Sequence, residues 1–135
     1  MSHQVITPED WAPGKGYANG ILTEDGQLFV AGQIGWNAQQ IFETHDLIGQ
    51  TEQTLKNIVT VVKKAGGQIT DITRLTWYVK DKKEYLIRQR EIGQAYRRVL
   101  GKHFPAMTML VVVDLIEDEA LVEIEATAVL KNKSS

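Results

Sequence analysis

The chain has 135 residues, 43% of them hydrophobic, with fifteen basic against seventeen acidic side chains, a formal charge of -2, and no cysteine. That length fits one ordinary domain with a sizeable core, and the missing cysteines exclude disulfides, thiolate nucleophiles and cysteine-ligated metals. The near-balanced charge carries no basic stripe for nucleic acid or anionic lipid, and no window is apolar enough to span a bilayer, so the expectation is a soluble cytoplasmic protein.

Residues 1–16 read as an N-terminal arm lying on the surface, punctuated by Pro8, Pro13-Gly14 and Gly16 and anchored only by Trp11. Two short runs follow, residues 17–23 and 27–32, separated by Glu24-Asp25-Gly26, and an Asp-Gly between such runs predicts a hairpin. Residues 36–46 show no period and read as a loop. Asp46 then caps a predicted helix over 47–65, with Ile48, Thr51, Leu55, Ile58, Val59 and Val62 on one face and Gly66-Gly67 as the stop. The β-branched and aromatic run 72–79 predicts a strand. Asp81 and Glu84 form a capping-box pattern opening a second helix with Tyr85, Ile92, Tyr96 and Val99 on one side and Gly101 past its end.

Two more predicted strands, 106–113 and 120–130, are joined across the acidic turn Glu117-Asp118-Glu119. In the first, both alternate sets (Met107, Met109, Val111, Val113 and Thr108, Leu110, Val112) are largely apolar, and we expect the pair as a whole to be apolar on both faces. Two helices cover one face of such a sheet, so self-association is the expected fate of the other.

Six strings in this order resemble the RidA/YjgF family of imine deaminases, once called L-PSP endoribonucleases, over nearly the whole chain. They are Gly16-Tyr17-Ala18-Asn19-Gly20, Val30-Ala31-Gly32-Gln33-Ile34, Gln53-Thr54-Leu55-Lys56-Asn57-Ile58, Tyr78-Val79-Lys80-Asp81, Phe104-Pro105-Ala106 and Val122-Glu123-Ile124-Glu125-Ala126. The resemblance implies a single domain over 1–135 with an α+β, chorismate-mutase-like fold: a mixed sheet with two helices on one face. It also implies assembly as a homotrimeric barrel, with a small-molecule ligand bound at each subunit interface.

Family members with deaminase activity hydrolyse enamines or imines such as 2-aminoacrylate to a 2-keto acid and ammonia. Their carboxylate-binding arginine directly follows Pro-Ala at the start of the fourth predicted strand, where this chain has Met107, and Met109 stands where many relatives carry cysteine. A thioether cannot hold a carboxylate, and an unpaired substrate carboxylate would cost about 2–5 kcal/mol. Arg74, Lys15 and His103 are the candidate replacements, although isolated basic residues are usually surface charges. By resemblance Glu123 positions the attacking water, with Glu125 an equally plausible carboxylate on the same strand. The resemblance further implies that Gly32 offers a backbone N–H, that Tyr17 closes the pocket, and that Met107 and Thr108 line it; the plainer reading of each is packing or solvation. His3, His45 and His103 lack metal-ligand spacing, and Trp11, Trp36 and Trp77 are packing residues or walls of a flat ligand site. No metal and no cofactor is expected.

Two functional expectations follow. One is a divergent deaminase acting on an imine or enamine other than 2-aminoacrylate, such as a ring-cleavage product like 2-aminomuconate. The other is a non-catalytic trimer that binds a small metabolite. Ribonuclease activity has the least support, since the chain has neither a basic stripe nor a paired general acid and base.

Overall fold

Side-chain alternation decides which sheet face is buried. A computed structural model describes residues 2–131, and in it one six-stranded sheet runs in the order β1 (Gln4–Ile6), β2 (Gly20–Leu22), β3 (Gln27–Ile34), β6 (Val122–Val129), β4 (Ile72–Val79), β5 (Ala106–Val111). Leu28 and Val30, then Val122, Ile124, Ala126 and Ala128, then Leu75, Trp77 and Val79 bury the same face. Onto it pack α1 (Leu47–Lys64), through Leu55, Ile58, Val61 and Val62, and α3 (Gln89–Leu100), through Ile92, Tyr96 and Leu100. Each fully buried Leu or Ile contributes roughly 1.5–3 kcal/mol. Among the described residues no helix is long and apolar enough to cross a membrane.

The hairpin forms around Gly26, whose φ of 91° is the left-handed conformation glycine tolerates. Asp46 caps α1 by accepting from the N–H groups of Ile48 and Gly49 at 3.1 and 3.4 Å. Gly66, with φ 94°, follows the last turn, where Lys63 and Lys64 complement the helix dipole.

Four expectations are corrected. The arm is not merely draped on the surface, because Gln4–Ile6 pair with β2 as an edge strand and bury Ile6. The second helix is two: α2 (Lys82–Ile87), capped by Asp81 on the Glu84 N–H at 3.0 Å, and α3, with Arg88 between them at φ -105°, ψ 18°. The Arg88 guanidinium reaches Asp46 Oδ1 at 2.6 Å and Glu91 Oε1 at 3.0 Å, which ties this break to the start of α1. The two C-terminal strands are not neighbours, since β4 lies between them. The α2–α3 crossover delivers β5 parallel to β4, and β6 enters antiparallel between β3 and β4. Finally, β6 is apolar on one face only. Its other face shows Glu123, Glu125 and Thr127 before Val129, so the two-faced apolar character belongs to β5 alone.

Candidate functional site

Alternation along β6 turns Val122 and Ile124 into the core and Glu123 onto the face that carries no helix. Ile34 on β3 and Tyr78 on β4 stand opposite Glu123 across the two ladders. The β3–β6 register shifts between Val30 and Gln33, taking Ala31 and Gly32 out of the paired ladder. There Glu123 folds its carboxylate over Gly32: a Cβ on residue 32 would fall 2.1 Å from Glu123 Oε2 and 2.8 Å from its Cδ. Any side chain at 32 would displace the carboxylate, so glycine here is a requirement of Glu123.

Burial, and then the Glu125 charge nearby, push the Glu123 carboxyl above the usual carboxylate range. Glu125 is more exposed and accepts a 2.8 Å hydrogen bond from the Tyr78 hydroxyl, which raises the Tyr78 phenol above its ordinary value. The two carboxylates that were equivalent by sequence are therefore distinct. Glu123 is half-enclosed, with its carboxyl held above the usual range, whereas Glu125 is solvated and accepts from a phenol.

Two buried amides on α1 hold the surrounding backbone. Gln50 donates to the carbonyls of Thr44 and Glu119 at 3.2 and 2.9 Å and accepts from the Leu121 N–H at 2.8 Å, fixing the entry to β6 two residues before Glu123. Asn57 donates to the carbonyls of Ile34 and Trp36 at 3.0 and 2.9 Å, fixing the end of β3. Sequence reasoning missed both roles, although polar residues inside the apolar face of α1 were the available signal.

The remaining predicted residues separate. Thr108 pairs with Thr76, which in turn pairs with Glu125, so it shares the open face. Met107 pairs with Leu75 and therefore lies on the helix side, opposite to Glu123. Tyr17 is half exposed and lines a separate cleft with Trp11, Asn19 and Trp36. Among the candidate cations, His103 already lies 2.8 Å from the Ile72 carbonyl through Nε2. Arg74 pairs with Ala106 and Thr127 at the far end of β4 from Glu123, and Lys15 is exposed. Trp77 is buried against Tyr96, Trp36 tilts on Phe42, and Trp11 packs at the core margin. Among the described residues no three acidic, histidine or cysteine side chains converge as a metal site.

Met107 belongs instead to an open groove of about 180 Å³ between β5 and α3. Trp77, Tyr96 and Phe104 form its aromatic wall, with ring centroids 6.3 and 5.5 Å apart and the last two rings within 8° of parallel. Met109 and Ile92 continue the apolar surface, and Arg97 is its one charged lining residue. Chemically the two sides are complementary: a half-buried carboxyl of raised proton affinity on the open face, an apolar slot on the other.

The Endoribonuclease L-PSP family profile matches residues 8–130. A RutC family protein of Pasteurella multocida is 31% identical over 102 residues, covering 76% of this chain and 78% of its own length. The 2-iminobutanoate/2-iminopropanoate deaminase of Escherichia coli is 29% identical over 132 residues, covering 96% of this chain and 98% of its own. Among solved structures, a putative endoribonuclease L-PSP from Entamoeba histolytica superposes with a TM-score of 0.83 at 25% identity, covering 96% of this chain and all of that one. Escherichia coli TdcF with bound serine superposes with a TM-score of 0.79 at 25% identity, covering 93% and 98%. With a matching profile over nearly its full length and the same mixed sheet and helices, this chain belongs to the Endoribonuclease L-PSP family.

Proposed function

We propose that the protein hydrolyses a reactive imine or enamine other than 2-aminoacrylate, at a pocket assembled between the subunits of a homotrimer. The observation that carries the reaction is the Glu123 carboxyl held over Gly32, with its proton affinity raised by burial. A group poised nearer neutrality than an ordinary carboxylate suits proton transfer to and from water. In the proposed reaction the ionised Glu123 takes a proton from water as the water oxygen bonds to the imine carbon, and hands it to the nitrogen to give a carbinolamine. It then carries the hydroxyl proton to the same nitrogen as the carbonyl forms, and the C–N bond breaks to release ammonia. The Gly32 amide contacts the substrate, and Tyr17 and Thr108 contribute to the pocket walls.

The assembly reading rests on placement. Met107 and Glu123 lie on opposite faces of one sheet with β4 between their strands, so a single ligand touches both only when they come from different copies. Phe29, Leu110 and Val129 are each nearly half exposed on the open face, which gives a second copy apolar surface to cover. The relatives named as imine deaminases support the reaction class.

The Met107 side chain also favours a second reading, a trimer that binds a metabolite without turning it over. Ammonia release from freshly generated 2-aminoacrylate and from larger imines separates the two. Wild type is expected to act on a larger imine, Glu123→Ala to lose about 100-fold or more, and Met107→Arg to gain on 2-aminoacrylate. Absence of release from every imine tested would leave the binding reading. Light scattering at micromolar concentration is expected to give three times the chain mass, and a monomer would end the interface argument.

A further inference from the structure

We infer that the groove between β5 and α3 takes an amphipathic carboxylate, its aromatic body against Phe104, Met107 and Met109 and its carboxylate on Arg97. This deepens the reading above, on which it rests in placing Met107 at the substrate, by naming the substrate class and the cation that serves it.

Arg97 and Arg98 are neighbours on the last turn of α3 with different fates. Arg98 is tied to Glu52 at 2.8 Å, whereas Arg97 has no ion pair or side-chain hydrogen bond among the described residues. Arg97 lines the groove, and its Nη1 lies 3.9 Å from where a Cβ on Gly93 would stand, one helical turn back. Gly93 is itself unexplained by the fold. Its φ is not in the left-handed region, and its missing Cβ would meet nothing else within 4 Å. A mid-helix glycine without a packing or backbone reason lowers helix stability relative to alanine. What it leaves is space beside a free guanidinium, at the mouth of an aromatic and thioether slot.

That combination fits a guest with one anionic end and a flat apolar body. A guanidinium holds a carboxylate with two parallel hydrogen bonds, and methionine sulfur packs well on aromatic rings. A three-carbon acid would cover little of this wall. With the cation on α3 and an uncharged side chain at Met107, the groove keeps room for the body of a larger substrate.

Calorimetric titration of the full chain with 3-phenylpropanoate, neutral 3-phenylpropanol and propanoate tests this without turnover. Wild type is expected to bind the aromatic acid about tenfold more tightly than the alcohol and propanoate more weakly than the aromatic acid. Arg97→Gln is expected to bring the acid to the alcohol's affinity, while Arg90→Gln, outside the groove, preserves the preference. Gly93→Leu is expected to weaken both aromatic compounds without lowering the melting temperature, so that loss of binding is not loss of fold. Equal affinity for acid and alcohol, a preference that survives Arg97→Gln, or no binding of either aromatic compound would overturn the assignment. Because ammonia is not the readout, an inactive protein that still shows the Arg97-dependent preference refutes the reaction and retains this site. An active protein without the preference does the reverse.

Discussion

The two faces of the sheet solve different problems. The helix side is filled by methyl groups and rings, and at its β5 margin remains apolar up to Met107; the open side concentrates Glu123, Glu125, Tyr78 and Thr127 on the central strands. A charge is tolerated on the open face because strand alternation keeps it out of the core, yet Glu123 is covered enough to feel desolvation. On the proposed function, catalytic character comes from partial burial of one carboxyl, and selectivity from the opposite face.

The comparison breaks most completely if the frame of the open face is removed. Gln50→Leu leaves the Thr44 and Glu119 carbonyls and the Leu121 N–H without partners, and is expected to cost about 3 kcal/mol in urea unfolding. A loss below about 1 kcal/mol would mean that water replaces the amide. Gly32→Ala is a smaller intervention. It swings the Glu123 carboxylate away and is expected to lower imine hydrolysis about tenfold, or about 1.4 kcal/mol, with little change in melting temperature; full activity would show that the carboxylate need not sit over residue 32.

The smallest effect sharpens the electrostatic side. Glu123 holds its proton to a higher pH folded than unfolded, so the folded state binds more protons between the ordinary carboxylate range and the raised folded value. Stability from this group falls as pH rises through that window. Asp46, whose carboxyl the Arg88 hydrogen bond pulls below the usual range, acts oppositely: its contribution is present above the ordinary carboxylate range and lost as pH falls. Glu123→Gln is therefore expected to raise the melting temperature slightly at pH 7 and to leave it unchanged at pH 4. A decrease at pH 7 would show that the carboxylate is stabilised rather than strained where it lies.

Local chemistry made much of the fold legible. Asp-Gly marked the hairpin, Asp46 the start of α1, and the β-branched run 72–79 matched β4 to the residue. Strand order was not legible, because an acidic turn between two apolar strands looks like a hairpin, and only the crossover through α2 and α3 places β4 between them. At the site, Glu123 and Gly32 could be named from their strings, but their contact depends on a register shift that no periodicity reveals. Arg97 escaped notice for a similar reason. Next to Arg98 it looks like half of a solvated basic pair, and only the ion pair to Glu52 distinguishes one from the other.

The position of β6 has a consequence for synthesis. Among the described residues this strand follows every other strand, yet it occupies the middle of the sheet, with β3 on one side and β4 on the other. Until residue 129 has left the ribosome, the nascent chain can form a β1–β2–β3 half and a β4–β5 half, each with an unsatisfied edge waiting for the same partner. Closure depends on these distant pairings, which are slow to form, and the waiting edges are the places where two nascent chains would join wrongly.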